Sequence, residues 1–532
     1  MGMTMLGTTY RGGQRDRRSR IASGGAVGIP VAIAVGMAIY VLSQPHALLG
    51  VDGVDDGVYF GAAVRLVHGV LPYRDFVLLH PPGIATILAP VALLSDLVGT
   101  RVGLGIARVL TEAVAVANVA LVWGMLRRYG NWAAGIGAVV LAIFPLGVAA
   151  TNTLTLEPYF VLCCLVGASI ALSDLAHRPA WLAVAGAWFA LGVDVKVWAV
   201  VPFAVALCTL VSARLRGLGA FLGGFCVALA VLIGPFVAAA PSAFVHDVVR
   251  TQYDRATATV GPSLSTRLLD LTGVTGFLSS GGTERAAEVV AVVLGVVALG
   301  ALVVGRRRIG RMEVFAFGAW VAMTLAVLAT AEFYEYYTYA ASAFGALALG
   351  CAVGLCYRPP RRSVRIVAPR PRPWIVAVLV LLVAAGVAYV TAGDVRFARA
   401  FVAASEPFDP ARAIDAVIPK GACVVSDQTS LLIDANRMVP EASGCPAVVD
   451  PFGTWLAADP ENPPPSIGPY APALVAEWQG WLARADDLLL EFPIPRSSDI
   501  PAAPSIEKAF TSTYRLTYES FGASVYRNAA HP

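Results

Sequence analysis

Charge is scarce in this chain. Asp, Glu, Lys and Arg make up 14% of its residues, where soluble domains carry about a quarter. With 57% of 532 residues hydrophobic, a single water-surrounded core is excluded, because such cores stop growing at a few hundred residues. Lipid is the natural solvent for this chain. Cysteine is also thin: eight residues, with no CxxC and no Cys/His cluster at zinc-ligand spacing, so no metal site is read from them. Cys163, Cys164, Cys208, Cys226, Cys351 and Cys356 lie in or beside apolar segments and read as small hydrophobes. Short-period repeats are missing, as are the paired inverted halves of many transporters. A net charge of +4 calls for no nucleic-acid partner.

What is present is a series of apolar runs of spanning length, near residues 21–44, 101–126, 131–150, 157–174, 217–239, 286–305, 312–331, 336–356 and 373–393. Asp194 and Lys196 divide a longer run into two short spans, 179–193 and 197–212. Residues 83–100 are apolar but short, and Pro90 and Asp96 interrupt them. If they do not cross, the arginine clusters at 11–20, 127–128, 178, 214–216, 306–311 and 358–372 all fall on one side, as the positive-inside rule requires. The expectation is therefore a multi-pass α-helical protein of the cell membrane with about eleven transmembrane helices. Its basic N-terminus, 1–20, is cytoplasmic, 83–100 is re-entrant or juxtamembrane, and the C-terminus is extracytoplasmic. That topology gathers Asp52, Asp55, Asp56, Asp75, Glu157, Asp194, Asp247, Asp254, Glu332 and Glu335 at the outer rim. Ionisable groups near lipid are costly unless they line a wet cavity.

Two regions are expected outside the bilayer. In the first loop, 45–100, residues 56–68 have helical spacing: Tyr59, Ala63, Leu66 and Val67 share an apolar face suited to lying on the membrane surface. Asp55 or Asp56 is positioned to cap this helix and Gly69 to end it. The second region, 394–532, has the composition of a small soluble α/β domain. Short strands are expected at 423–425, 447–449, 488–490, 514–518 and 523–527, in a mostly parallel sheet. Helices are expected at 410–418 and 472–485, and loops at 461–466 and 493–504. Cys423 and Cys445 stand in this polar region and form a candidate disulfide if it faces the oxidising exterior.

The first loop carries a motif. Asp55-Asp56-Gly57-Val58-Tyr59, Gly69, Leu71-Pro72-Tyr73-Arg74-Asp75-Phe76 and His80-Pro81-Pro82-Gly83 follow in order. This string resembles the first extracytoplasmic loop of bacterial protein-mannosyltransferase-like enzymes of the GT-C superfamily of membrane glycosyltransferases. Weaker matches follow at Leu156-Glu157-Pro158, at Lys196, and from Tyr334 to Tyr339. The resemblance implies a GT-C-type transmembrane domain over 21–393, a polyprenyl-phosphate-linked sugar as donor, transfer at the outer face with inversion, and the first acid of the loop pair, Asp55, as catalytic base. Asp56 stands where the family more often has Glu, and Glu335-Tyr336 where it often has His-Tyr.

Glycosyl transfer from a lipid phosphate needs a carboxylate to take the acceptor proton, donors or cations to hold the departing phosphate, and a groove for the lipid. Asp55 is the candidate base, with Asp56 and Glu157 as its neighbours; Glu157 is placed to orient the acceptor or to help hold a divalent cation, Mg or Mn. Arg74, His80, Arg108, Lys196 and Tyr336 are the candidates for donor phosphate or sugar. Structural readings stand beside these: Asp56 as a cap or an orienter, Asp75 with Arg74 as a local ion pair, Arg108 paired with Glu112 at i, i+4, Lys196 with Asp194 as a charged hairpin tip, and the aromatic residues 333–339 as an interfacial belt. Acceptors open to the enzyme are an envelope glycan, a lipid or a protein, met among membrane lipids. A transporter or flippase of lipid-linked sugars is the alternative, with a non-catalytic envelope scaffold as a third reading.

Overall fold

The computed structural model describes residues 28–258, 262–272, 309–357 and 410–530, apart from short gaps at 52, 145, 148–149, 152, 212–214, 442–443, 465–467, 495, 498 and 521. The basic N-terminus and the spans expected at 286–305 and 373–393 lie outside the described residues.

Among the described residues, four helices are long and apolar enough to cross a membrane: Thr100–Tyr129, Gly217–Ala239, Arg311–Ala329 and Glu335–Leu355. Six apolar helices are shorter: Gly28–Leu42, Gly83–Val98, Asn131–Ala142, Glu157–Ala171, Pro179–Val195 and Val197–Val211. The run at 131–150 is not one continuous helix. It stops at Ala142, just ahead of Pro145, where the residues before a proline resist the α conformation. Many of these helices touch through small side chains, as membrane helices do: alanines at 185, 190, 199, 206, 316, 319, 340 and 343 are essentially inaccessible.

The first-loop helix, α1 (Val54–Val67), begins two residues earlier than its periodicity suggests. Its N-cap is Gly53, so neither Asp55 nor Asp56 caps it; both sit in the first turn, where the helix dipole still favours negative charge. Gly69, at φ +80°, ends it. The helix does not lie on a lipid surface. Asp56 to Arg65 are all buried, because α1 is wedged between α2 (Gly83–Val98), the helix Thr100–Leu126 and a short helix of the C-terminal region, Thr429–Asp434. Two glycines make the last contact possible. A Cβ on Gly57 would stand 2.4 Å from Ser430 N, and one on Gly61 would stand 2.8 Å from Thr429 Cγ2.

The C-terminal region holds a four-stranded sheet, β1 (Val424–Ser426), β2 (Asp487–Leu490), β3 (Tyr514–Ser520) and β4 (Ala523–Asn528), in the order β1-β2-β4-β3. Only the β1/β2 pair is parallel; β2/β4 and β3/β4 are antiparallel. The mostly parallel sheet is thus corrected to a mixed one, because β3 and β4 form a hairpin around Gly522, at φ +71°. No strand forms at 447–449. That stretch meets Thr429 through the Val449 carbonyl (2.6 Å) and runs straight into a helix, Pro451–Ala458, capped by Asp450. Part of the segment read as a proline-rich loop starts another helix, Pro504–Thr513, with the proline in its first turn.

Both faces of the sheet are covered. Val424, Leu489, Ala523 and Val525 join the core that continues into the membrane helices. Val425, Leu488, Leu490 and Tyr526 join a second core with Trp455, Trp478 and Phe510. Strand alternation explains the split, and two-sided burial explains why β2 reads as an unbroken run of leucines. Cys423 and Cys445 are bonded, closing a loop of 22 residues around the helix that touches α1. Replacing both by serine should cost about 2–4 kcal/mol, read as a fall in melting temperature. A melt unchanged by reductant would contradict that.

Candidate active site

Asp55 and Asp56 are adjacent in sequence but point into different surroundings. Asp56 is fully buried. Its Oδ2 accepts from Arg108 Nε (3.1 Å), from Arg108 Nη2 and from Thr153 Oγ1 (2.9 Å). Ser430 Oγ, 3.0 Å from Asp56 Oδ1, also reaches the Gly53 carbonyl. Arg108 is buried too, and its Nη1 donates to the carbonyls of Ala47 (3.2 Å) and Gly50 (2.8 Å). These contacts clamp the start of α1 to the helix Thr100–Leu126 and to the C-terminal region. They correct two expectations: Arg108 pairs with Asp56 and not with Glu112, and its guanidinium is turned into this clamp, away from any phosphate.

Asp55 is half-buried and accepts from Tyr336 Oη at 2.6 Å. Tyr336 packs edge-on against Tyr337, with ring centroids 5.0 Å apart. The Lys196 ammonium stands over the ring of Tyr337 at 4.1 Å and over that of Trp198 at 4.5 Å. Lys196 Nζ also donates to Glu157 Oε1 at 2.5 Å. Asp55, Tyr336, Lys196 and Glu157, separated by up to 281 residues in sequence, therefore meet in one cluster. Lys196 takes Glu157 as its partner, not Asp194.

Local sequence explains the placement. The helix Pro179–Val195 ends where Lys196 leaves the α region, at φ −150° and ψ 127°, and this turns its side chain toward Glu157. Glu157 opens its own helix with Pro158 in the first turn, a favourable place for both residues. Tyr59, one helical turn beyond Asp55, is buried beneath the cluster. Burial, then the charges of Asp55 and Glu157, hold its phenol well above the ordinary tyrosine range. His80 packs edge-on to Tyr59 at 5.7 Å between centroids, and its carbonyl accepts from Tyr73 Oη at 2.7 Å.

A cavity of about 340 Å³ opens beside the cluster. Lys196, His80, Gln252, Thr330 and Glu332 supply its polar lining, and Val197, Val248 and Val249 an apolar side. Arg74 does not line it. Arg74 is exposed at the tip of the loop, held by Asp75 at 2.7 Å, which itself accepts from Leu71 N at 2.7 Å; the side-chain bond to Arg74 is the main cause holding the Asp75 carboxyl below its usual range. Of the residues considered from sequence for a donor phosphate, Lys196 and His80 line this cavity and Arg74 stands apart from it. Among the described residues, no three His, Cys, Asp or Glu side chains gather to hold a metal, and Lys196 already faces Glu157. The cluster does not fit the divalent cation considered from sequence.

Tyr59, Tyr337, Trp198 and Gln252 were not singled out as site residues by sequence reasoning. Trp198 had a signal, an aromatic two residues after a lone lysine, and so had Tyr337, the last residue of a YEYY run; Gln252 had none.

Residues 79–237 match the family model of the dolichyl-phosphate-mannose-protein mannosyltransferases, a stretch that contains His80, Glu157 and Lys196 and begins after Asp55. Among solved structures, the chain resembles ArnT from Cupriavidus metallidurans bound to undecaprenyl phosphate, at 15% identity, with a TM-score of 0.59 and coverage of 95% of this chain and 98% of the other. The fold is that of the GT-C glycosyltransferases. The GT-C likeness extends to the archaeal oligosaccharyltransferase AglB from Archaeoglobus fulgidus in complex with an inhibitory peptide and a dolichol-phosphate, at 12% identity and a TM-score of 0.52, over 95% of this chain and 74% of that one. No curated protein matches the sequence. The GT-C resemblance first drawn from the first-loop motif is thus met by a likeness of fold over nearly the whole chain.

Proposed function

We propose that this protein is a membrane glycosyltransferase that moves a sugar from a polyprenyl-phosphate carrier to an acceptor hydroxyl at the extracytoplasmic face, with inversion. One observation carries the reading: the first-loop carboxylate Asp55 converges with Lys196 and Glu157 beside a cavity that is polar on one side and apolar on the other. Asp55 is half-buried and accepts from Tyr336 Oη at 2.6 Å; that bond orients the carboxylate, the group type that takes a hydroxyl proton in general base catalysis. Lys196 supplies positive charge to the phosphate as the glycosidic bond breaks, with His80 and Gln252 as further donors. The apolar side, where Val197 and Val249 are well exposed, suits the first units of a polyprenyl chain. The carriers bound in the two structural relatives, undecaprenyl phosphate and dolichol-phosphate, are of the same chemical class. The sugar, hexose or pentose, and the acceptor, whether envelope glycan, lipid or protein, are left to assay.

Purified protein should turn over with at least one of a panel of polyprenyl-phosphate sugars. Absence of binding and turnover with every donor would defeat the reading. Lys196→Gln, which keeps a donor toward Glu157, should raise the donor KM by about 10–100-fold, in line with the roughly 1.5–3 kcal/mol of a charge-assisted hydrogen bond. An unchanged KM would remove Lys196 from the donor site.

A further inference from the structure

At the other end of α1, away from Asp55, lies a second and larger cleft of about 800 Å³ between the first loop and the C-terminal region. Arg65, His68 and Arg74 line one wall; Thr454, Trp481 and Arg484 line the other. Arg65 is unusual. It is only 5% exposed, its Nε has no hydrogen-bond partner, and no ion pair forms with it among the described residues. Burial alone pulls its guanidinium down to about 10. A charge buried without a partner is strongly unfavourable, so it persists where something else is gained. The neighbouring charges do not neutralise it. Asp75 is engaged by Arg74 at 2.7 Å, His68 by Asp96 at 3.3 Å, and Arg484 Nε by the Gly480 carbonyl at 2.9 Å. Glu477, on the far wall, is exposed.

We propose that this cleft binds an anionic saccharide, a glycan bearing carboxylate or phosphate groups, with Arg65 as the buried anchor for the anion. An arginine fork pairs with either group in bidentate fashion; Trp481 lines the facing wall with 7% of its surface open, and the Thr454 hydroxyl, which donates to the Asp450 carbonyl at 2.8 Å, keeps an oxygen to accept from a sugar hydroxyl. The volume is that of a site for a molecule several times larger than a lone phosphate ion. Calling the glycan an acceptor rests on the glycosyltransferase reading; the binding itself does not.

The test uses the full-length protein in a neutral detergent and measures binding of a uronate tetrasaccharide, with maltotetraose as the neutral control and inorganic phosphate as competitor. Nanodiscs with and without phosphatidylglycerol form the lipid arm. Wild type should bind the uronate saturably and at least tenfold more tightly than maltotetraose, with phosphate competing. Arg65→Gln should weaken binding at least tenfold, while its melting temperature without ligand should hold or rise, since a buried unpaired charge is removed. Arg484→Ala, on the exposed wall, should weaken binding severalfold and keeps the test decisive if Arg65→Gln does not fold. Asp55→Asn should bind as wild type, so loss of transfer and loss of this site are separable. Equal binding of the neutral sugar, full binding by Arg65→Gln or by Arg484→Ala, or an effect confined to phosphatidylglycerol nanodiscs would overturn the proposal.

Discussion

Asp55→Asn should lower sugar transfer by about 10²–10⁴-fold, the usual worth of a positioned general base, while the protein folds and melts as wild type. The amide is nearly the shape of the carboxylate, and its oxygen still accepts from Tyr336 Oη, now 2.6 Å from Oδ2. What it loses is the capacity to receive a proton. The effect should fall on kcat more than on donor KM, because a base acts on the attacking hydroxyl in the transition state. Tyr336→Phe serves as the companion measurement. It removes an orienting bond and leaves the base, so its loss should be smaller, on the order of tenfold. A transfer rate for Asp55→Asn within a few-fold of wild type would exclude Asp55 as base. The transporter and scaffold readings predict that small change.

The second large effect falls on stability. Arg108→Ala should cost about 3–5 kcal/mol, the typical penalty for removing one partner of a buried ion pair. Asp56 would keep Thr153 and Ser430 as donors but lose its counter-charge, and the Ala47 and Gly50 carbonyls would lose their Arg108 donor. The expected signature is a sharply lower melting temperature in detergent, with activity falling because folded protein falls. Replacing both residues, Arg108→Met with Asp56→Leu, should recover much of the loss, since apolar isosteres often do as well as a buried pair. A melt for Arg108→Ala within about 2 °C of wild type would contradict the clamp.

The contrast between these two acids marks what the sequence could and could not convey. Composition and hydropathy sufficed for the membrane class, and the order of the first-loop motif for the GT-C fold. Asp55, Glu157, Lys196 and Tyr336, which the structure brings together, stood out in the sequence because each is an ionisable or phenolic group at the end of an apolar run, where it is costly without a purpose. Arg108 and Arg74 were misassigned for the same reason: charge in an unusual place was taken as aimed at a ligand. Whether an arginine faces a ligand or a carboxylate 52 residues away depends on tertiary packing that no local pattern encodes. The surface-lying helix failed likewise. The spacing of Tyr59, Ala63 and Leu66 revealed one apolar face, but Gly57 and Gly61, which let Ser430 and Thr429 approach the opposite side, look in sequence like ordinary small residues. In the C-terminal region, strand positions were read more accurately than their directions, since β3 and β4 pair through a turn whose parity with β2 is set only by the sheet.

The close seating of the Thr429–Asp434 helix on the two glycines of α1 has a mechanical consequence. The helix that reaches Asp56 through Ser430 follows β1 after two residues, and the Cys423–Cys445 bond closes the loop that holds both. The C-terminal region is therefore no detachable cap. It is a splint for the acidic turn, and a graft of a relative's C-terminal region onto this helical body would have to reproduce that seam before Asp55 could be held in register.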